Sequence, residues 1–327
     1  MNHSIRGISS FRLSTTDRSG AADGNTDPNT SRDIASIGQQ HKVEVDWKKI
    51  NVNWMRVIAL RDSGQDLNKL IKAKGQSAAT PLVRAIRYSP DEEIVALVAA
   101  GADVNRRFGP LMPPMAYALR SISRVKLLLD LGADANATWK TGSRKVDSIV
   151  RRAAADDLVY SDTIHLLLAA GANPNLGSSQ NSNTALMNVA GRSRKEKLSR
   201  PRSEQEKADD LKGIKAFLDA GANIQARNDT GHTALFPAIE SGRKDIVECF
   251  LAKDQKLVNL AAKGNWTPLM HAVKSNNVEM IRMLVRAGAD VNSQFRTSGK
   301  TAWDYASLEI RRQLPELEPN GFNLTKH

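Results

Sequence analysis

The sequence predicts an all-α protein, a solenoid of stacked helix-turn-helix units joined by hairpin loops over residues 46–315. Two observations lead to this prediction. The tripeptide Thr-Pro-Leu begins at Thr80 and again at Thr267, and in both places Gly-Ala-Asp-Val-Asn begins 21 residues after the Thr. Weaker copies of the first landmark recur along the chain at steps of 33 to 49 residues. Because a fixed period of this length is the signature of a repeat architecture, we predict about eight units, two of them partial.

Each unit carries the start and stop signals of a helix pair. The Thr is a suitable N-cap, and the Pro after it fits the first helical position, where a missing N–H costs nothing. Two short apolar stretches follow in the second unit, around Ala85 and Leu97, and Gly101 supplies the positive φ that ends the second helix. Helices this short are marginal alone, so the units must stack to be stable.

Several segments depart from this pattern. Residues 46–76 lack Thr-Pro-Leu and are interpreted as a degenerate first unit. The unit at 143–175 has Ser148-Ile149-Val150 in place of Thr-Pro-Leu, and in the sixth unit residues 254–259 replace the Gly-Ala-Asp ending. An insertion at 192–210 accounts for the 49-residue step, and a polar surface loop of this kind is tolerated thermodynamically. We predict a short C-terminal tail at 316–327.

A period near 33 with these two landmarks resembles the ankyrin repeat over roughly residues 47–312. The resemblance implies a non-catalytic protein-binding module whose partner docks on a concave face, formed by hairpin tips and the exposed sides of the inner helices. On that face, the residues predicted to bind the partner are basic or aromatic. They are Arg107, Phe108, Trp139, Lys140, Lys263, Trp266, Phe295 and Arg296. The inner helices add Arg87, Tyr88, Arg120, Arg192 and Lys274 at or near groove-facing positions. The alternative for Trp266 and Phe295 is packing on neighbouring hairpins.

The net charge of +12 is unevenly placed. Residues 1–46 hold five basic and six acidic side chains, whereas residues 47–327 hold 42 basic and 29 acidic ones. A basic body favours acidic partners, so we expect a protein with an acidic surface rather than nucleic acid. No run of about 18 apolar residues is present to cross a bilayer, and we expect a monomer that does not enter membranes.

The search for a reactive site gives no catalytic, cofactor or metal site. Ser298-Gly299-Lys300-Thr301 resembles the end of a P-loop, but Gln294 stands where that motif requires Gly. The six His share no metal-ligand spacing with one another or with Cys249, which packing explains best. His271 is interpreted as structural. We therefore expect no enzyme activity and no cofactor.

Residues 1–45 are rich in small polar residues and are predicted to be disordered, because they cannot repay the entropy of ordering. We expect a cytoplasmic protein. The Ser-rich start, with no acidic residue before Asp17, also resembles the leaders of bacterial type III effectors, so secretion into a host cell is the alternative, and a mitochondrial presequence is a third. The basic stretch 192–202 is interpreted as a solvated loop, with a nuclear import signal or a nucleic-acid patch as alternatives.

Overall fold

The computed structural model describes residues 63–64, 66–70, 79–107, 112–141, 146–177, 183–192 and 203–319. All of them belong to the second of the two units into which the chain divides, Asp46–His327. The predicted leader, most of the predicted first unit and residues 320–327 of the predicted tail lie outside the described residues.

Helix pairs recur through units two to eight. Units two to four contain α1 (Pro81–Tyr88) and α2 (Asp91–Ala99), the 3-10 helix Pro114–Tyr117 and α3 (Ile122–Asp130), and α4 (Ile149–Ala155) and α5 (Ser161–Ala169). Units five to eight contain α6 (Ala185–Ala190) and α7 (Glu204–Asp219), α8 (Leu235–Glu240) and α9 (Lys244–Lys253), α10 (Pro268–Lys274) and α11 (Val278–Arg286), and α12 (Ala302–Tyr305) and α13 (Leu308–Gln313). Further 3-10 helices are Gln255–Asn259, Lys263–Asn265 and Pro315–Leu317. The first helix of each pair is the inner helix and the second is the outer helix.

The predicted helix signals are confirmed. The hydroxyl of Thr80 accepts a hydrogen bond from Val83 N–H at 3.2 Å, and Thr267 accepts one from Met270 N–H at the same distance. Gly101 takes a φ of 103° at the end of α2, in the left-handed region that glycine adopts without strain. Each unit is therefore bounded by its own local sequence.

The core lies between the inner and outer helices and continues from unit to unit. Small residues of the inner helices, such as Ala85, Ala238 and Ala272, are at most 1% exposed and allow close approach of neighbouring helices. Phe217 and Phe250 of the outer helices are completely buried. Packing continues to Leu317, which is also completely buried, so the array extends two residues beyond its predicted end at 315.

A row of asparagine side chains joins successive units; we call it the Asn ladder. In each step, the side-chain amide of an Asn donates to the carbonyl oxygen of the Gly that ends the outer helix of the next unit. The side-chain oxygen of the same Asn accepts from the backbone N–H of the residue two positions after that Gly. Asn175, for example, donates to Gly221 O at 3.0 Å and accepts from Asn223 N at 2.8 Å. The ladder residues are Asn68, Asn105, Asn136, Asn175 and Asn259.

The ladder changes between units five and six. Gln225 stands at the Asn position and makes one hydrogen bond to the next unit. Its side-chain amide donates to the carboxylate oxygen Oδ2 of Asp254 at 2.6 Å. Asp254 begins the ending that lacks Gly-Ala-Asp, and it is the C-cap residue of α9. The 3-10 helix that follows brings Asn259 into position for the next ladder step. The altered ending of unit six is thus accommodated without loss of register.

One short hairpin has regular strand pairing. Strands β1 (Thr138–Lys140) and β2 (Val146–Ser148) run antiparallel between units three and four, with Trp139 opposite Asp147.

The insertion is not entirely a polar loop. Residues 204–210 form the first two turns of α7, which begins with a capping box between Ser203 and Glu206. Asp210 is 1% exposed, and its carboxylate lies 3.1 Å from the buried guanidinium of Arg243. Residues 193–202, which hold most of the basic stretch, lie outside the described residues. The two ends of the insertion are therefore structural parts of the array.

Candidate protein-binding face

The predicted binding residues have different surroundings. Arg107, Lys140, Lys263 and Arg296 are exposed on the hairpin loops, whereas Trp266 and Phe295 are half-buried. Phe108 lies outside the described residues.

Trp139 and Arg192 are corrections to the sequence analysis, because neither side chain is available to a partner. Trp139 is 3% exposed, since side chains alternate along a strand and the alternation in β1 turns Trp139 inward and Lys140 outward. Arg192 is 4% exposed. The sequence gives no sign of which hairpin residue faces the core, because this depends on the register of β1 against β2.

Arg192 braces the end of α4 instead of facing a groove. Its guanidinium donates to the carbonyl oxygens of Ala153, Ala154, Asp156 and Val159 at 2.8 to 3.1 Å. The last carbonyls of a helix have no partner within the helix, and the fork of an Arg can reach several of them. The residue is thus an inter-unit cap.

A groove of about 790 Å³ crosses units six to eight. It starts at the hairpin residues Asp229 and Thr230, passes Lys263 and Trp266, and reaches the ends of two inner helices. The remaining lining residues are His232, Ala262, Val273, Lys274, Asn276, Phe295, Tyr305 and Ser307. The groove therefore gathers three of the predicted binding residues, Lys263, Trp266 and Phe295, in one place.

Three aromatic rings form one wall of the groove. The ring of Trp266 lies 5.5 Å from that of Phe295 and 5.2 Å from that of Tyr305, both in edge-to-face geometry. Trp266 and Phe295 therefore pack on each other across hairpins, which was the alternative for them, and they also line the groove, so their role in binding stays a prediction. Sequence analysis missed Tyr305, although the repeat register places it at the position that His271 occupies one unit earlier.

His271 links this wall to the inner helix of unit six. The indole N–H of Trp266 donates to His271 Nδ1 at 3.4 Å. The His271 ring packs edge-on against Phe236, its centroid 5.4 Å away, and Phe236 stacks on His232 at 4.3 Å. The wall is therefore attached to the inner helix of unit six as well as to its own unit.

Neighbouring hairpins hold each other through backbone hydrogen bonds. Lys263 N–H donates to Thr230 O at 3.0 Å, and Arg296 N–H donates to Gly264 O at 2.7 Å. A Cβ at Gly264 would lie 2.7 Å from the ring of Phe295, and its φ of 72° favours glycine as well. These contacts fix the groove's hairpin side before any partner arrives.

The groove is flanked by more positive than negative charge. Lys274 Nζ lies 5.7 Å from the centre of the Trp266 ring, and Lys300 Nζ lies 5.9 Å from that of Tyr305. Lys263 and Arg296 are exposed beside them, while Asp229 is the acidic residue of the lining. The arrangement attracts carboxylates and presents aromatic surface to an apolar group.

A second group of basic and aromatic residues lies in units two to four. The guanidinium of Arg87 lies 5.1 Å from the centre of the Tyr117 ring, and Tyr88 is 75% exposed. Arg120 forms an ion pair of 3.0 Å with Asp156. Burial works to raise the pKa of Asp156, but hydrogen bonds from Leu158 N–H and from Arg120 outweigh it and lower that pKa below its ordinary value.

The described residues hold no evident reactive centre. Within them, no three His, Cys, Asp or Glu side chains are placed to share a metal ion. Burial raises the pKa of the Cys249 thiol above its ordinary value, which makes the reactive thiolate scarce. Over the same residues, none of the helices has the length and apolar character needed to cross a bilayer.

Comparison with known proteins identifies ankyrin repeats within the array. Residues 206–295 match the family model described as ankyrin repeats (3 copies). The B-cell lymphoma 3 protein homolog of Mus musculus is 29% identical over 178 residues, 52% of this chain and 36% of that protein. The nuclear factor NF-kappa-B p105 subunit of Gallus gallus is 29% identical over 91 residues, 27% of this chain and 9% of that protein. The matched part of the chain thus spans 36% of the length of the relative from Mus musculus and 9% of the length of the relative from Gallus gallus.

The fold agrees with this match. The crystal structure of the human ASB11 ankyrin repeat domain superposes with a TM-score of 0.58 at 21% identity, covering 75% of this chain and 100% of that one. Ankyrin arrays generally use their extended surface to bind other proteins. Residues 206–295 are therefore ankyrin repeats by sequence, and the array around them has the ankyrin-repeat fold.

Proposed function

We propose that the chain is a protein-binding adaptor without catalytic activity of its own, whose partner docks on the hairpin loops and inner helices. The observation that carries this proposal is the groove across units six to eight, where Trp266, Phe295 and Tyr305 face solvent beside lysines. Trp, Tyr and Arg are the residues that most often dominate the energetics of protein interfaces. The proposed contact residues on the hairpins are Arg107, Lys140, Lys263, Trp266, Phe295 and Arg296.

The proposed partner is a protein with an acidic surface. The surplus of positive charge lies in residues 47–327, and Arg107, Lys140 and Arg296 are exposed on the hairpins that follow units two, three and seven. Complementary charge raises the rate of association more than the final affinity. Association should therefore slow as salt is added, because exposed charges are screened over ~8 Å at physiological ionic strength.

We propose that this adaptor is a monomer and that it acts in the cytoplasm. Light scattering after size-exclusion chromatography of the full chain would report its mass. A mass twice that of the 35.8 kDa chain would contradict the monomer.

The docking face is tested with charge reversals. The full chain is used as bait, a captured partner is purified, and its binding is compared across variants by surface plasmon resonance. We expect the triple variant Arg107→Glu, Lys140→Glu, Arg296→Glu to bind more slowly and more weakly than the unaltered chain, since it replaces attraction with repulsion.

A matched control variant reverses three exposed charges on the outer helices, at Lys126 in α3, Lys215 in α7 and Arg286 in α11. Its net charge equals that of the hairpin variant, so general electrostatic effects cancel in the comparison. Binding that is lost in the control and kept in the hairpin variant would place the partner on the outer helices and refute the proposed face.

A further inference from the structure

We propose that the groove across units six to eight binds an extended acidic segment of the partner, which inserts one aromatic or branched apolar side chain against Trp266, Phe295 and Tyr305. This inference rests on the proposed function and names the part of the partner that the groove recognises. It follows from the chemistry of the floor, the charge of the rim and the dimensions of the groove.

The floor accepts an apolar group. Val273 and Ala262 are 2% and 7% exposed, and the half-buried rings of Trp266 and Phe295, which belong to the aromatic wall, continue this apolar surface. The indole N–H of Trp266 already donates to His271, so the ring offers its carbon surface and not a donor. A large apolar side chain would gain the most from this floor, because the free energy of burial scales with the apolar area removed from water.

The rim selects carboxylates on either side of that anchor. Lys263 and Lys274 line the groove, Arg296 is exposed directly after Phe295 in the chain, and the exposed Lys300 lies near the ring of Tyr305. Lys274 is held over the face of Trp266, so its charge lies directly beside the site of the anchor. Asp229 opposes this attraction at the hairpin end of the groove.

An extended segment matches both features at once. Successive side chains of an extended chain point to opposite sides, so an anchor directed at the floor leaves its two neighbours directed away from the floor, on the open side of the groove where the rim charges lie. The groove runs from the hairpins to the end of α10, whose seven residues span about 10 Å at ~1.5 Å per residue. At ~3.3 Å per residue, that length holds about three extended residues.

The test uses a phage-displayed library of random linear nonapeptides selected against the full chain. We expect enrichment of peptides in which Asp or Glu flank one Trp, Phe, Leu or Ile. The best peptide is then synthesised with a fluorescent label, and its dissociation constant is measured by anisotropy with the full chain and its variants.

The variants test the aromatic wall and the rim separately, and they distinguish both from a loss of folding. Trp266→Ala should weaken binding by about tenfold or more, as expected for a central aromatic anchor. Lys274→Glu should weaken it too, and because this side chain is exposed, that variant tests the site even where Trp266→Ala folds poorly. Asp229→Asn should strengthen binding, since it removes the opposing charge. Lys126→Glu on an outer helix is the control and should leave binding unchanged.

Two results would overturn the inference. One is a selection that enriches no peptide, or only basic or uncharged ones. The other is an acidic peptide that binds Trp266→Ala and Lys274→Glu as tightly as the unaltered chain. If the captured partner is lost on reversing Arg107, Lys140 and Arg296 but tolerates both groove variants, the proposed function stands and this inference fails.

Discussion

Truncating one member of the Asn ladder, Asn175→Ala, should destabilise the whole array. The side chain joins unit four to unit five by donating to Gly221 O and accepting from Asn223 N. No other change of packing is expected, because the residue lies on the exposed edge of its unit.

The magnitude follows from the two bonds. A hydrogen bond contributes about 0.5 to 1.5 kcal/mol net. Gly221 and Asn223 are both exposed, so water replaces the lost partners and the lower part of this range applies to each. We expect Asn175→Ala to lower the free energy of unfolding by about 1 to 2 kcal/mol.

Urea denaturation followed by circular dichroism measures this loss. Asn292 is the control, because it holds the ladder position of unit seven and its side chain makes no hydrogen bond within the described part of the chain. Asn292→Ala should change stability by less than about 0.5 kcal/mol, as surface substitutions usually do. Equal effects of the two substitutions would refute the view that the ladder couples the units.

Four further results are expected. Leu284→Ala should cost about 2 to 5 kcal/mol in the same assay, because the residue is completely buried; an unchanged midpoint would show that unit seven does not stack. Deleting residues 195–202 should leave stability nearly unaltered, since Ser203 and the helix cap remain; a large loss would make the loop structural. Burial works to raise the pKa of Asp245, but the hydrogen bond and charge of Arg243 outweigh it and lower that pKa. The stability that Asp245 contributes is present above the ordinary carboxyl pKa and is lost as pH falls through the lowered pKa. The Asp245→Asn variant should therefore lose less stability than the unaltered chain when pH falls from about 5 to about 2. Equal losses in the two proteins would contradict this. A reporter fused behind residues 1–45 should stay in the cytoplasm; its export would favour a secreted effector.

Local signals made most of the fold predictable. Thr80 and Thr267 specify helix starts and Gly101 a helix end through their own backbone chemistry, which needs no knowledge of the neighbouring unit. The Asn ladder was predictable in principle, because an Asn recurs two residues after the Asp or Asn of most endings. Its bonds were missed because they join residues about one repeat apart.

Features that depend on tertiary packing were not predictable in this way. The inward turn of Trp139 is fixed by the pairing of β1 with β2. Arg192 is part of a basic stretch in the sequence, but its guanidinium is buried against the carbonyls of Ala153 and Ala154 at the end of α4, where the last carbonyls of a helix have no partner within the helix. The groove needed Tyr305 as its third ring, and only the stacking of unit eight on unit seven brings that ring to Trp266.

The uniform chemistry of the Asn ladder has an evolutionary consequence. A unit that carries an Asn at its end and Gly-Ala-Asp at the next ending forms the same junction with any neighbour of the same kind. Tandem duplication or loss of such a unit would therefore restore a working junction without compensating mutations. The junction of Gln225 with Asp254 lacks this interchangeability, so units five and six should be inherited together as a pair.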